Sequence, residues 1–169
     1  MIFDRMYITI LSIFGIALLY SYYYFLQDNN NILKLWGRIK GNLLNIYYVS
    51  MLLSTIGFIL MFFYLFYSNN FTNNDILNIF ICISMIVLIS ILWTPLSLTY
   101  IKTKENIYKY STLLVLFLVA LFTVLLIISL YNVKETKYIL YKNIALGGMI
   151  YFFIHAFFFD FLIWSYHFF

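Results

Sequence analysis

Charged side chains are scarce in this sequence. Asp, Glu, Lys and Arg make up only 9% of its 169 residues, and 65% of the residues are hydrophobic. A soluble domain carries about 25% charged residues, which keep its surface hydrated. This chain cannot cover a water-exposed surface, so the lipid bilayer is its expected solvent and first partner. The basic residues lie between apolar runs, which is typical of membrane topology signals and not of a nucleic-acid surface, so we expect no nucleic acid as a partner.

Residues that build metal and catalytic centres are equally few. The single cysteine, Cys82, excludes a disulfide within one chain and cannot by itself form a zinc or iron–sulfur site. The two histidines, His155 and His167, would stand about 18 Å apart along one helix, too far apart to ligate one haem together. There is no glycine-rich phosphate loop, no cluster of carboxylates and no meaningful Ser-His-Asp spacing. We therefore expect no metal, no cofactor and no enzymatic activity.

Long apolar runs are what the sequence does contain. A membrane-spanning helix needs about 20 mostly apolar residues, and none of the long runs shows the alternation of a membrane barrel strand. The sequence predicts an all-α integral membrane bundle that forms a single domain over residues 1–169. Its five transmembrane helices are expected at about 6–26, 45–67, 76–100, 111–131 and 144–166.

The charges of the connections predict an orientation. The first and third connections carry three basic residues each, whereas the second, 68–75, carries none. By the positive-inside rule, the N-terminus then lies outside and the C-terminus inside. The fourth connection, 132–143, conflicts with this pattern because it contains Lys134, Lys137 and Lys142. At the inner interface we expect three aromatic anchors, which are Trp36, Trp93 and Trp164.

The first connection contains an apolar face and two glycines. Its apolar residues share one helical face, which consists of Ile32, Leu35, Trp36, Ile39 and Leu43. The stretch forms either a helix that lies in the membrane plane, with basic side chains at anionic headgroups, or a linker that extends the second transmembrane helix. Gly37 and Gly41 argue against a stable isolated helix. The two glycines also form a small-xxx-small pair that would let another helix approach.

Two titratable residues, His155 and Asp160, interrupt the C-terminal apolar window. Five residues apart on an α-helix, they point about 140° apart, so we expect a different neighbour for each. Asp160 shares a face with His167 and is expected to pair with Arg38 or Lys102 near the inner interface. His155 is expected to stay neutral against a hydroxyl group of a neighbouring helix. The alternatives are a proton or ion pathway, or a ligand pocket.

The third predicted helix contains a proline in the stretch "LWTPLSLTY". Pro95 removes a backbone hydrogen bond and predicts a kink or a helix end near Ile91. Hydroxyl groups of Thr94, Ser97 and Thr99 are available to satisfy the freed carbonyls. Breaks of this kind line binding sites in transporters. So close to the interface, however, the sequence favours a simple helix end.

Three stretches carry a resemblance to other membrane proteins. They are "KLWGRIKGNLLNIYYVSMLLSTIGFILMFFYL", "ILWTPLSLTY" and "GGMIYFFIHAFFFDFLIWSYHFF". They resemble a group of small uncharacterised multi-pass proteins of large nucleocytoplasmic DNA viruses, protists and algae. The resemblance covers most of the chain and implies a membrane protein, with no catalytic residue carried over. The length and the Phe/Tyr-rich composition are also similar to mitochondrially encoded respiratory subunits of protists. The Gly-rich helix typical of the five-helix subunit of complex I is not recognisable.

These observations predict a multi-pass integral membrane protein of structural or interaction type. Its expected partners are the bilayer, other membrane proteins or a second copy of itself. We expect it in a host endomembrane or a virion membrane in preference to the mitochondrial inner membrane. The alternative is a small transporter, a proton-conducting component or a protist respiratory-complex subunit, with His155 and Asp160 in the pathway.

Overall fold

The regular structure of the chain is helical throughout the part that a computed structural model describes, which is residues 5–68 and 70–169 without the side chains of residues 5, 29 and 30. The elements are α1 (Arg5–Phe25), α2 (Asn29–Leu35), α3 (Asn42–Tyr67), α4 (Asn73–Thr103), α5 (Asn106–Asn132), α6 (Ile139–Ile154), a π-helix (His155–Trp164) and α7 (Ser165–Phe168). Five helical runs are long and apolar enough to cross a membrane: Met6–Phe25, Asn42–Tyr67, Asn73–Thr103, Asn106–Asn132 and Ile139–Phe168. The prediction of an all-α chain with five candidate spans is confirmed.

Polar caps extend the helices beyond their apolar windows. At the start of α4, the hydroxyl oxygen of Thr72 accepts the backbone N–H of Asp75 at 3.2 Å, and the carboxylate of Asp75 accepts the backbone N–H of Thr72 at 2.9 Å. This reciprocal capping box satisfies two N–H groups that the first helical turn leaves unpaired. At its other end, α4 stops at Lys104, which adopts a left-handed φ of 58°. Hydropathy does not register such caps, so the observed helix is longer than the predicted window.

The spans pack in an order that differs from their order in the chain. Helix α4 packs between α1 and α5, and α6 packs between α5 and α3. Helices α3 and α6 approach each other closely at Gly57 and Gly148. A Cβ atom on Gly57 would lie 2.8 Å from the Cα of Gly148, and one on Gly148 would lie 2.7 Å from the Cα of Gly57. Close crossings of this kind are typical of small residues in membrane helices.

The connections gather at two opposite ends of the bundle. At one end, the backbone N–H of Arg38 donates to the carbonyl of His167 at 3.2 Å, and the ring of Tyr100 packs 4.9 Å from that of Phe169. At the other end, the side chain of Asn70 donates to the carboxylate of Glu135 at 2.8 Å. The first and third connections therefore share one end with the C-terminus, and the second and fourth share the other.

The first connection is not a continuous amphipathic helix. Helix α2 ends at Leu35, and Gly37 and Gly41 adopt left-handed φ angles of 55° and 59°. A Cβ atom on Gly37 would lie 2.7 Å from the carbonyl oxygen of His167, so only glycine lets the C-terminus approach this turn. The predicted close approach of another helix therefore occurs at Gly37, where α7 meets the turn, and not at Gly41. The apolar face still points inward, since Leu35 and Ile39 are buried.

Pro95 lies inside α4, which continues for eight further residues. Because proline has no N–H, the carbonyl of Ile91 loses its partner in the helix. The hydroxyl of Ser21, on α1, donates to this carbonyl at 3.4 Å. Ser97 and Thr99 donate to other carbonyls of their own helix. The predicted helix end is wrong, because a neighbouring helix satisfies the group that the proline frees.

The three predicted tryptophan anchors lie at the end of the bundle that contains the C-terminus. The rings of Trp93 and Trp164 are 5.3 Å apart, and Trp36 packs edge-on against Tyr47 at 5.2 Å. Trp164 is only 2% exposed, and its indole N–H donates to the carbonyl of Leu35 at 2.8 Å. Trp164 therefore joins helix ends to each other within the protein instead of lying among the lipid headgroups.

Candidate functional site

The last membrane-spanning run changes its helical repeat where the polar residues occur. From His155 to Trp164 the backbone forms a π-helix, in which hydrogen bonds join residues five apart. Residues five apart therefore stand one above the other, and the Nε2 atom of His155 lies 3.6 Å from Oδ1 of Asp160. The expectation that these two residues point about 140° apart is wrong, because it assumed an α-helix. Short π-helical stretches are frequent at functional sites.

Helix α3 supplies polar side chains to the same place. The hydroxyl of Tyr47 donates to Oδ1 of Asp160. One turn further along α3, the hydroxyl of Ser50 lies 2.9 Å from Nδ1 of His155, and the hydroxyl of Tyr151 donates to Ser50 at 3.2 Å. These five side chains, Tyr151, Ser50, His155, Asp160 and Tyr47, form what we call the polar chain. A hydroxyl is thus the neighbour of His155, as the sequence predicted.

The direction of the hydrogen bonds assigns the tautomer of the histidine. Because Ser50 accepts from Tyr151, its own hydrogen is available to Nδ1 of His155, which then acts as the acceptor. A neutral imidazole with an accepting Nδ1 carries its hydrogen on Nε2, and this N–H faces Asp160. Asp160 therefore accepts a hydrogen bond from Tyr47, and the imidazole of His155 lies 3.6 Å from the same oxygen.

Burial changes along the polar chain. The side chain of His155 is 9% exposed, whereas that of Asp160 is 33% exposed. Tyr47 and Ser50 are buried. Aromatic rings enclose the buried part, because Phe159 stacks on His155 at 5.5 Å and meets Tyr47 edge-on at 5.5 Å. The two ends of the polar chain, Asp160 and Tyr151, are therefore partly exposed, whereas its middle is buried.

Neither of the expected cations pairs with Asp160. The guanidinium of Arg38 donates to the carbonyls of Tyr166 at 2.8 Å and His167 at 3.3 Å. Carbonyls at a helix C-terminus lack partners within the helix and attract cations, so Arg38 caps the end of the last helix. Lys102 lines a cleft between α1 and α4 together with Pro95. The ion-pair prediction for these two cations is wrong, because Tyr47 and His155 occupy their place.

The side chain of His167 does not belong to the polar chain. It makes an edge-on ring contact with Tyr166 at 5.3 Å. Its backbone carbonyl, and not its imidazole, accepts the hydrogen bonds from Arg38. The shared face of Asp160 and His167, inferred from α-helical spacing, does not form because the π-helix rotates the residues that follow it.

A second polar cluster surrounds Glu135 in the fourth connection. Its carboxylate is 7% exposed and accepts from the hydroxyl of Ser68, from the side chain of Asn70 at 2.8 Å, and from the backbone N–H groups of Lys137 and Tyr138, both at 3.0 Å. Burial raises the pKa of Glu135, but the hydrogen bonds outweigh burial, and the pKa lies below its ordinary value. Sequence reasoning missed this residue, because a single Glu in a short connection gives no periodic signal.

Among residues 5–68 and 70–169, no group of three or more His, Cys, Asp or Glu side chains is placed to hold a metal ion. The polar chain offers proton donors and acceptors, with one carboxylate at the surface. No protein-family model, curated protein or solved structure matches this chain.

Proposed function

We propose that this protein is a structural or interaction protein of a membrane, and that it binds another membrane-embedded chain at Asp160. The supporting observation is the incomplete coverage of this carboxylate. Tyr47 and His155 both contact Oδ1, whereas Oδ2 has no hydrogen-bond partner within the described ranges. One-third of the side chain is exposed, although Asp160 belongs to a candidate membrane span. A polar group in this position usually faces protein or water and not lipid.

The depth of Asp160 follows from the length of its helix. The run Ile139–Phe168 has 30 residues, and Asp160 lies eight residues before its end. Such a helix is about 45 Å long and extends beyond a hydrocarbon core of about 30 Å by about 7 Å at each end. Asp160, about 12 Å from the end, then lies roughly one turn inside the hydrocarbon. Leaving it partly uncovered there is costly, and a partner's donor would remove that cost.

The chemistry of Asp160 defines the partner. A carboxylate with one open oxygen fits a helix that presents a lysine, an arginine or an amide side chain at the same depth. The basic residues of this chain lie at or near the ends of its spans, for example Lys102 and Lys109. A second copy would therefore not supply a cation at this depth, so we propose as the partner a different chain that carries a lysine or an arginine there.

Photo-crosslinking in membranes tests this proposal. A benzophenone amino acid is placed at Tyr48, next to Tyr47, and at the exposed Leu162, two residues after Asp160, in the full chain. Leu114 of α5 is the control, because it is also exposed and lies eight residues from the start of its helix. We expect a protein adduct from Tyr48 and Leu162 that disappears on Asp160→Ala. Adducts with lipid alone, or the same adduct from Leu114, would contradict the proposal.

A second candidate function is proton conduction, which the polar chain supports. Asp160 lies 3.6 Å from the buried His155, and hydrogen bonds continue from His155 through Ser50 to Tyr151. Such a series can pass a proton from the surface to the interior of the span. The second candidate is therefore a proton-conducting component in which the polar chain forms one part of the path.

Proton uptake distinguishes the two candidates. The purified chain is reconstituted in vesicles that contain a pH-sensitive dye, and a pH step is applied. The first candidate predicts no flux above that of empty vesicles, in the parent and in His155→Gln alike. Flux in the parent that is lost in His155→Gln but kept in Tyr48→Phe would replace the first candidate with the second.

Two further parts of the proposal concern placement. We propose that the end of the bundle with the C-terminus faces the cytoplasm, because six of the ten basic residues lie in the connections at that end: Lys34, Arg38, Lys40, Lys102, Lys104 and Lys109.

The resemblance to viral and protist proteins supports a host endomembrane or a virion membrane over the mitochondrial inner membrane. Fractionation of cells that produce the tagged chain tests this location, and co-sedimentation with mitochondrial markers would contradict it.

A further inference from the structure

A cleft of about 460 Å³ lies between the ends of α1 and α4, at the end of the bundle that contains the C-terminus. It is separate from the polar chain. Its lining comes from the last turn of α1, the turn that follows, α2 and the last two turns of α4. The lining residues are Tyr24, Phe25, Gln27, Asp28, Asn31, Pro95, Leu98, Thr99 and Lys102. Both α1 and α4 are candidate spans, so their ends place the cleft at the membrane boundary.

The cleft has two kinds of wall. Phe25, Pro95 and Leu98 form an apolar part, and Asp28 and Lys102 bring opposite charges to its exposed rim. Backbone hydrogen bonds fix the turn that closes the cleft, since the N–H groups of residues 31 and 32 both donate to the carbonyl of Asp28. A ligand for this site must be polar at one end and apolar at the other, and it must tolerate both charges.

We propose that this cleft binds the headgroup of a zwitterionic phospholipid. The ammonium group of Lys102 attracts the phosphate, as basic pockets between membrane helices do. The carboxylate of Asp28 and the ring of Tyr24 attract the ammonium or quaternary ammonium group, which aromatic faces bind well. The acyl chains then lie along the apolar surfaces of α1 and α4. The volume falls within the range of small-molecule sites.

The two charges of the cleft set its preference. An anionic headgroup without an amine would satisfy Lys102 but would bring its negative charge close to Asp28. A phosphatidylcholine or phosphatidylethanolamine headgroup brings a group of opposite charge to each of these two residues. The site therefore prefers phosphatidylcholine to phosphatidylglycerol, although the positive net charge of +4 by itself would favour the anionic lipid.

Lipid binding to the purified full chain tests the proposal. The chain in detergent is titrated with dioleoyl-phosphatidylcholine, dioleoyl-phosphatidylglycerol or free phosphorylcholine, and bound lipid is counted by native mass spectrometry. We expect Lys102→Gln to weaken retention of phosphatidylcholine about tenfold, the size of one lost charge-assisted contact. Asp28→Asn should weaken phosphatidylcholine binding and strengthen phosphatidylglycerol binding. The matched control, Lys109→Gln, removes a lysine outside the cleft that lies over the Phe169 ring and should change nothing.

Three results would overturn the proposal. One is equal retention of phosphatidylcholine by Lys102→Gln and Lys109→Gln, with melting temperatures in lipid-free detergent that show both variants to be folded. Another is tighter binding of phosphatidylglycerol by the parent chain. The third is protection against thermal unfolding by phosphorylcholine at the concentration at which the lipid protects, because the cleft would then recognise a soluble phosphate ester and not a lipid.

Discussion

At the scale of single residues, Asp160 contacts side chains from two elements. Tyr47 donates to it from α3, and His155 lies 3.6 Å from it in the preceding turn of the π-helix. A partly buried acceptor that loses its donor costs more than the hydrogen bond contributed wherever the remaining group stays desolvated. The ring of Tyr47 is itself enclosed, between Phe159 and Trp36. Removal of either Tyr47 or Asp160 should therefore lower the free energy of unfolding.

We expect Tyr47→Phe to lower the free energy of unfolding by about 1–3 kcal/mol, because the carboxylate loses a buried donor. Asp160→Ala should have a larger effect, since it leaves the donors of Tyr47 and His155 without an acceptor. Asp160→Asn should have a smaller effect, because the amide oxygen can still accept from Tyr47. Thermal unfolding of the detergent-extracted chain measures all three.

The matched control for Tyr47→Phe is Tyr48→Phe. Tyr48 is half exposed, and its ring contact with Trp36 at 5.3 Å does not involve its hydroxyl. Its melting temperature should equal that of the parent. If Tyr47→Phe and Asp160→Ala also unfold like the parent, Asp160 is not held by these contacts.

Glu135 makes stability depend on pH. Its folded pKa lies below the ordinary value of 4.5, because the hydrogen bonds to its carboxylate outweigh the opposing effect of burial. A carboxylate with a lowered pKa stabilises the fold at pH values above its unfolded pKa. This contribution decreases as the pH falls below 4.5 and is lost once the pH has fallen through the folded pKa. The ionised carboxylate of Glu135 should therefore contribute to the free energy of unfolding at neutral pH, and this contribution should be lost in acid.

We expect Glu135→Gln to lower the melting temperature at pH 7 and to flatten its decrease below pH 4.5. The amide cannot carry the charge that the hydroxyl of Ser68 and the N–H groups of residues 137 and 138 stabilise. Glu105→Gln is the control, because Glu105 is exposed and makes no side-chain cap bond at the start of α5. If the melting temperatures of the parent and of Glu135→Gln fall in parallel as the pH is lowered, a group other than Glu135 causes the loss of stability in acid.

At the scale of helices, the crossing of α3 and α6 rests on two glycines. Because each Cβ position is occupied by backbone of the other helix, an alanine at Gly57 or Gly148 must push the helices apart. Overpacking of this kind costs about 1–3 kcal/mol. The polar chain lies on the same helix pair, since Ser50 belongs to α3 and Tyr151 to α6. Separation of the helices should therefore also weaken the contact between Ser50 and Tyr151.

We expect Gly57→Ala and Gly148→Ala each to lower the unfolding free energy by about 1–3 kcal/mol in a thermal or denaturant titration. Gly147 supplies the control, since it is the neighbour of Gly148 in the same helix and has no atom within 4 Å of its Cβ position. Gly147→Ala should be neutral or stabilise by up to about 1 kcal/mol, because alanine favours the helix. Equal effects of Gly147→Ala and Gly148→Ala would contradict the close crossing.

The helices themselves could be predicted from the sequence, because lipid requires long apolar runs and leaves few alternatives to a helix. Their ends could be predicted only to within a few residues. The apolar window 111–131 corresponds to Asn106–Asn132, and 76–100 corresponds to Asn73–Thr103. At the start of α4 the difference arises at a polar cap, because the side chains of Thr72 and Asp75 supply hydrogen bonds that hydropathy does not measure. At the start of α5 no side-chain cap is present, and the helix begins with polar residues that the apolar window leaves out.

The candidate site could be predicted only in part. The apolar background identified His155 and Asp160 as unusual, but their contact depends on the backbone hydrogen-bond pattern of residues 155–164. Side-chain hydropathy does not distinguish an α-helix from a π-helix. The spacing of an α-helix was therefore assumed, and this spacing predicted different neighbours for the two residues. A spacing of five between two interacting polar residues is the signal that could have indicated the π-helix. Tyr47 had no such signal, because tyrosine is abundant throughout the chain.

At the scale of the whole molecule, charge is distributed unequally between the two ends. The end with the C-terminus holds six basic residues, and the opposite end holds four, which are Arg5 and the three lysines of connection 132–143. One of those three, Lys142, has a structural role. Its ammonium group donates to the carbonyls of Tyr131 and Val133, both at 2.7 Å, and so satisfies the C-terminal end of α5. The conflict with the positive-inside rule is therefore smaller than the lysine count alone indicates.

Thiol labelling in sealed membranes measures the orientation that follows. Cys82 is replaced by serine, and single cysteines are placed at the exposed positions Asn74, Asn106 and Thr136. We expect an impermeant maleimide added from outside to label Asn74→Cys and Thr136→Cys, because the contact of Asn70 with Glu135 puts the second and fourth connections at the same end. Asn106→Cys, at the start of α5, should react only after the membrane is permeabilised, because the proposed orientation places the end with the basic connections in the cytoplasm. Labelling of Asn106→Cys alone would reverse the orientation and keep the fold, whereas labelling of Asn74→Cys and Thr136→Cys from opposite sides would contradict the packing of α3 to α6 itself.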